Sequence, residues 1–420
     1  MKTNRRQFIS TAAAAGLAAS LPLASCKQID SDYEKLDLIL KQPVFKKEVF
    51  TSPVIIASIE LLRYENNFIC RVRSKDGAVG LSVGHGSLRN LYPIFTNLVQ
   101  PFFMNKDGRD LDLIMERIFI YRLNFRLSGQ ALGIPLATLE FAILDMMGRM
   151  AGLSIGQLIG TIHHSEVEMY QATEYRDKPV EESMELIARD VGENNARALK
   201  IKVGGLMFET EDLHAVAPPG RTEAMIPLVR ETFGKDMVLY ADANGFYSVE
   251  EAIRVGKLLQ EYNYQFFEEP VPFHWYEETR QVADSLSIPI AGGEQEFSLH
   301  GFRWLIANNG LQIVQPDLYY FGGMLRSMKV ALMAGAFGKQ CTPHMSGGDL
   351  GFLYMMHFVS ALPNAMPHHE FKGFRTNIVY ACETSPLQSV NGVVKVPTGP
   401  GSGVDLDPDF IAKFEAINPH

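Results

Sequence analysis

Cysteine is scarce in this chain: four in 420 residues, at positions 26, 70, 341 and 382. No CxxC pair or zinc-type spacing occurs, and the three cysteines beyond position 26 are far apart and odd in number, which argues against a disulfide framework. Cys70, Cys341 and Cys382 are expected as buried apolar residues. There is no block of Lys or Arg, and the formal net charge is -9, so nucleic acid is not an expected partner. The apolar run over residues 11–24 is too short and too weakly hydrophobic for a comfortable membrane span. No short tandem repeat occurs.

What is present begins with a leader. Adjacent Arg5 and Arg6 precede an Ala/Leu-rich stretch that closes on Leu23-Ala24-Ser25-Cys26. The arginine pair predicts twin-arginine export. The closing tetrapeptide resembles a lipoprotein cleavage box with Cys26 as the lipidated residue, so the expected location is a periplasmic, membrane-anchored lipoprotein. Residues 1–26 are therefore assigned to the signal and 27–46 to a polar tether. The rest, 46% hydrophobic over the whole chain, is enough for a large core and more than one domain.

Two textures follow. Residues 47–165 carry strand-like segments at 55–62, 68–72 and 79–83, with Lys75-Asp76-Gly77 as a turn. Then comes a helix over 136–150 with Leu139, Ala142, Ile143, Met146 and Met147 on one face and Gly152 as its stop. This predicts an α+β capping domain. Residues 166–385 alternate short apolar strands with helix-length stretches. The strands are expected at 167–173, 198–203, 237–241, 264–267, 288–291, 311–314, 340–342 and 364–367. Eight of them predict a (β/α) barrel, which needs about 250 residues. Ser248-Val249-Glu250-Glu251 is a capping box for one of its helices. Residues 386–420 are rich in Gly and Pro and are expected to pack back on the capping domain.

Catalytic groups of such a barrel lie at the C-terminal strand ends. The second strand ends Lys200-Ile201-Lys202, and lysines at i and i+2 share one side of a strand. Two close ammonium groups lower each other's pKa, which suits one as a base. The next three strands end with Asp242, Glu268 or Glu269, and Glu294; Asp242, Glu268 and Glu294 are spaced by one βα unit each time. Three converging carboxylates call for a hard divalent cation, and oxygen ligands favour Mg²⁺ over zinc. Asp317 follows the sixth strand and His344 closes the seventh, one unit apart, so they are expected to hydrogen-bond and orient the imidazole. Glu370 follows the eighth. Asn244, His85 in the loop 82–86, His274, and Tyr319 or Tyr320 are candidate substrate contacts, with His85 on a flexible loop.

In order and at one-strand spacing, Lys200-Ile201-Lys202, Asp242-Ala243-Asn244, Phe267-Glu268-Glu269-Pro270, Gly292-Gly293-Glu294, Gln315-Pro316-Asp317 and Thr342-Pro343-His344 resemble the enolase superfamily. The likeness is to its mandelate racemase/muconate-lactonizing branch, from about residue 47 onward. That resemblance implies one Mg²⁺ per active site on Asp242, Glu268 and Glu294. It implies Lys202 as acid/base on one face with Lys200 assisting the substrate carboxylate. It implies His344, oriented by Asp317, on the other face, and Glu370 hydrogen-bonded to a carboxylate oxygen. Lys-x-Lys with His-Asp matches the mandelate racemase type and many acid-sugar dehydratases. The expected reaction is abstraction of the proton α to a carboxylate, leading to dehydration of a sugar acid; racemisation or epimerisation is the alternative. The expected partner is a small carboxylate, in a homo-oligomer. Members of the family are usually cytoplasmic, and the export signal departs from that pattern.

Overall fold

The computed structural model describes residues 23–122, 124–207, 217–348, 350–372 and 376–418. Arg5, Arg6 and the apolar part of the expected signal lie outside them.

Three antiparallel strands, β1 (Ile56–Tyr64), β2 (Asn67–Ser74) and β3 (Val79–Val83), form the cap sheet. Lys75-Asp76-Gly77 makes the turn between β2 and β3, with Gly77 at φ 87°. The helix Gln130–Ala151 packs across this sheet. It is buried on nearly every side, because the barrel covers what the sheet leaves open. Close approach fixes its place: a Cβ on Gly80 would lie 2.2 Å from Ala142 O, and one on Gly133 would lie 2.0 Å from Tyr320 O. The helix stops at Gly152, which is left-handed at φ 67°.

The barrel follows as β4 (Glu166–Ala172), β5 (Ala198–Lys202), β6 (Val238–Asp242), β7 (Phe267–Glu268), β8 (Ile290–Gly292), β9 (Ile313–Val314), β10 (Gln340–Cys341) and β11 (His369–Phe371). All neighbouring pairs along this order are parallel, and β11 returns to pair with β4. The ring closes through Cys341, which bridges to Ala365 just before β11. The eighth stave therefore runs further than 364–367, and His369 and Glu370 lie within it rather than past it. Helices separate the staves, among them Val249–Glu261, which begins with the Ser248/Glu251 capping box. Below the mouth, Tyr170, Tyr240, Phe266, Ile313 and Met366 fill the interior, so the barrel is a packed core with a floor.

Two segments and one cysteine differ from expectation. Residues 27–46 are not a loose tether: a helix spans Leu23–Leu40 and lies on the barrel helices Leu299–Ala307 and Met324–Gly335. Leu36 is buried there, Arg303 pairs with Asp37, and Lys35 Nζ donates to Ala336 O. A polar composition hid the apolar stripe that docks. The loop 82–86 is not free either. Tyr354 Oη accepts from Val83 N at 2.8 Å and Tyr319 Oη donates to Val83 O at 2.7 Å, so two barrel tyrosines clamp its start. Cys70 and Cys341 are buried, but Cys382 is only half-buried. At the C-terminal end, Glu415–Ala416 adds to the cap sheet beside β1, while Val393–Lys395 pairs antiparallel with β4.

Candidate active site

The register of the barrel assembles the site. Lys202 lies opposite Asp242, Asp242 opposite Glu268, and Glu268 opposite Ala291, three residues before Glu294. Each acid strand then breaks through a left-handed residue: Asn244 at φ 43°, Glu269 at φ 38° and Gly293 at φ 112°. The turn at Glu269 separates its side chain from that of Glu268. Glu268 faces the mouth, whereas Glu269 Oε2 accepts from Gln295 and the side chain lines a small cavity behind the strands.

Carboxylate oxygens of Asp242, Glu268 and Glu294 lie within 4.8 Å of one another, and all three residues are buried. Glu268 Oε1 and Glu294 Oε2 have no hydrogen-bond donor, although Glu294 Oε2 is 3.2 Å from His344 Nε2. Buried acceptors without donors are costly, and oxygens on one octahedral Mg²⁺ sit about 3–4 Å apart. The three acids thus fit a divalent cation. Burial, then the charge of Asp242, pushes Glu268 up to about 7. Burial also acts against charge on Asp242, but Lys202, Lys200 and Arg176 hold it well below the usual carboxylate range.

Both lysines point into the barrel and are buried. Lys200 Nζ donates to Glu268 at 2.7 Å, lies 3.6 Å from Glu370 Oε1, and sits over the Tyr170 ring. Lys202 Nζ donates to Asp242 Oδ2 and, at 3.0 Å, to Asn244 Oδ1. Mutual lowering of the lysines does not win here. Burial and Lys200 both act to lower Lys202, but Asp242 and the other acids outweigh them and raise it. A carboxylate at hydrogen-bond distance is worth more than a second ammonium further off.

Across the mouth, His344 Nδ1 bonds Asp317 Oδ2 at 2.7 Å. Asp317 also accepts from Tyr319 N, Tyr320 N, Ser346 N and Ser346 Oγ, which fixes its plane. Burial opposes charge on the imidazole, but Glu294, Glu370 and Asp317 raise it to about 10. Glu370 stands between the two faces, Oε1 toward Lys200 and Oε2 3.7 Å from His344. Burial works against its charge, yet Lys200, Lys372 and His344 hold it well below the ordinary range. An ionised Glu370 is a counter-ion; to donate to a substrate carboxylate it must first take a proton.

The proposed substrate contacts divide. Asn244 belongs to the site, bonded to Lys202, Arg176 and Glu294. His85 is half-buried at the mouth, its ring 5.8 Å from Tyr320, which is itself 6.1 Å from His344. Tyr319 is a correction: it is buried with its hydroxyl spent on Val83, so its neighbour Tyr320 is the mouth residue. His274 is exposed, with its ring against Phe273 and Trp275, and is not grouped with the acids. Two cations were missed. Arg176 lies beyond β4, and Lys372 follows β11, paired with Glu174 at 2.7 Å. The strand-end rule applied to the first and eighth staves would have found both.

This arrangement coincides with what comparison finds. The family model described as "Enolase C-terminal domain-like" matches residues 182–410. The chain belongs to the enolase superfamily. Within it, the mandelate racemase/muconate-lactonizing branch supplies the similar structures. The mandelate racemase/muconate lactonizing protein of Paracoccus denitrificans, solved with magnesium, superposes with a TM-score of 0.77 at 27% identity, over 87% of this chain and all of that one. The D-galactarolactone cycloisomerase of Agrobacterium fabrum is 30% identical over 294 residues, 68% of this chain and 74% of the relative. The arabinonate dehydratase of Saccharolobus solfataricus is 25% identical over 337 residues, 80% and 87% of the two chains. This superfamily member is a lyase or isomerase.

Proposed function

We propose that this enzyme removes the proton α to the carboxylate of a sugar acid and expels the β-hydroxyl, giving a 2-keto-3-deoxy acid. The observation that carries the reading is the pair of proton-handling groups, Lys202 and Asp317-oriented His344, set around three buried acids. Asp242, Glu268 and Glu294 would hold one Mg²⁺, which when bound supplies positive charge beside the carboxylate where negative charge develops. Lys200 would bind the substrate carboxylate from the barrel floor. One face group, which must first give up its own proton, takes the α-proton, and the C–H electron pair moves into an enediolate. The β C–O bond then breaks as the other face group, His344 in our reading, protonates the departing oxygen as water. The resulting enol tautomerises to the ketone. The named dehydratases among the relatives support this choice.

Racemisation or epimerisation uses the same residues, and a proton-handling group on each face is what it requires. The two readings separate by product. Purified protein with Mg²⁺ is incubated with a panel of aldonates and aldarates and assayed for 2-keto acid. Keto product supports dehydration, and epimerised substrate without it replaces that reading with the second. We also propose export with lipidation at Cys26. Cell fractionation tests it: Cys26→Ala should move the protein out of the membrane fraction, and a wild-type protein found in the cytoplasm contradicts it.

A further inference from the structure

A cleft of about 560 Å³ lies away from the acid cluster, between the N-terminal helix Leu23–Leu40, the cap, and the barrel helices Leu299–Ala307 and Met324–Gly335. That volume suits a small molecule. Its walls are mixed. Phe119 is buried at the base, while Phe125 and Phe297 stand exposed at the sides.

The charges on these walls do not cancel. Asp37 is engaged by Arg303 at 2.8 Å, and Glu116 by Arg326 at 2.8 Å. Arg326 is further held between the Phe119 and Phe321 rings and by Phe321 O. Lys329 is different. It is only 7% exposed and lines the cleft, yet among the described residues it makes no hydrogen bond and no ion pair. The nearby Asp112 feels its charge, but the oxygens of that carboxylate accept from Val44 N and Phe45 N. Lys41 adds a second cation at the rim. A lysine this buried normally finds an acceptor; here its ammonium opens on the cleft instead.

We propose that this cleft is a second ligand site, distinct from the active site, for an amphipathic organic anion whose acidic head pairs with Lys329 and whose apolar body lies along Phe119, Phe125 and Phe297. The phenylalanine walls give the body its place, and paired Asp37 and Glu116 leave the positive sign of the pocket to Lys329 and Lys41. The site is independent of the reading of the reaction.

The test uses the whole protein and the fluorescent probe 1-anilinonaphthalene-8-sulfonate, which joins an aromatic body to a sulfonate. Wild type should bind it saturably, at one site per chain. Decanoate should displace it, and decanol of the same chain length should fail at tenfold higher concentration. Lys329→Met should weaken probe binding at least tenfold and erase the difference between decanoate and decanol. Unchanged thermal unfolding confirms that the variant is folded; should it fail to fold, Phe125→Asp on the exposed wall should give the same weakening. Absence of saturable binding by the folded wild type, equal displacement by decanol, or a folded variant that binds as wild type does, each overturns the proposal.

Discussion

Replacing Asp317 with Asn probes the orientation of His344 without changing shape. Asp317 accepts five hydrogen bonds, from His344 Nδ1, Ser346 N, Ser346 Oγ, Tyr319 N and Tyr320 N. An Asn side chain can keep its oxygen on the two tyrosine amides and the Ser346 hydroxyl. Its amide nitrogen then faces Ser346 N–H, donor against donor, and also faces His344 Nδ1. To avoid a second clash the imidazole must accept at Nδ1 and carry its proton on Nε2. That tautomer cannot accept a substrate proton, and without the carboxylate the ring no longer holds an extra proton to donate. Loss of one hydrogen bond to a charged group and the partner of one amide should cost about 2–4 kcal/mol of stability. Loss of a working acid/base should lower kcat about 10²–10⁴-fold, or about 3–5 kcal/mol of barrier. The KM should change little, because substrate binding rests on the lysines and the metal acids. The assay is steady-state turnover of whichever aldonate or aldarate the wild type accepts, with long-range ¹⁵N correlations reporting the His344 tautomer. A folded Asp317→Asn enzyme within threefold of wild-type kcat would refute the reasoning.

Other expectations follow from the same geometry. Glu140 is buried under the amides of Met324 and Leu325, and burial pushes it up to about 8. A carboxyl raised in the fold binds its proton more tightly there than in the unfolded chain. Its stabilising contribution is therefore complete below about pH 4.5 and is lost as pH rises toward 8. Melting temperature should fall across that window in wild type and fall less in Glu140→Gln; parallel curves contradict the assignment. Chelation by EDTA should abolish turnover and Mg²⁺ restore it. Glu268→Gln should remain folded, bind Mg²⁺ at least tenfold more weakly by calorimetry, and lose activity; full activity in metal-free enzyme would remove the cation from the account.

Much of the site is legible in the sequence because barrel geometry converts spacing into position. Asp242, Glu268 and Glu294 recur once per βα unit, so they must reach one rim. His344 and Asp317 meet for the same reason. Local patterns fixed the capping box at Ser248 and the helix stop at Gly152. What spacing cannot say is which of two neighbours turns inward. The left-handed turn at Glu269 and the reach of Tyr319 to Val83 are decided by packing between distant segments. The same holds for the helix Leu23–Leu40, whose sequence is polar enough to suggest a tether until the barrel offers it a surface. The electrostatics of Lys202 were misjudged from sequence because only the other lysine was visible along the strand; Asp242, 40 residues away, governs it.

The central claim is α-proton abstraction by groups on opposite faces of one substrate carbon. Exchange of that proton in D₂O, followed by ¹H NMR for wild type, Lys202→Ala and His344→Asn with Mg²⁺ present, tests it most directly. For a dehydratase, exchange and keto product should both vanish in the variant of the abstracting residue. The variant of the other residue should still exchange the proton while losing product. For a racemase, each variant should exchange one stereoisomer and spare the other. If both folded variants exchange every accepted substrate at the wild-type rate, neither residue handles the proton and the assignment of this site is wrong.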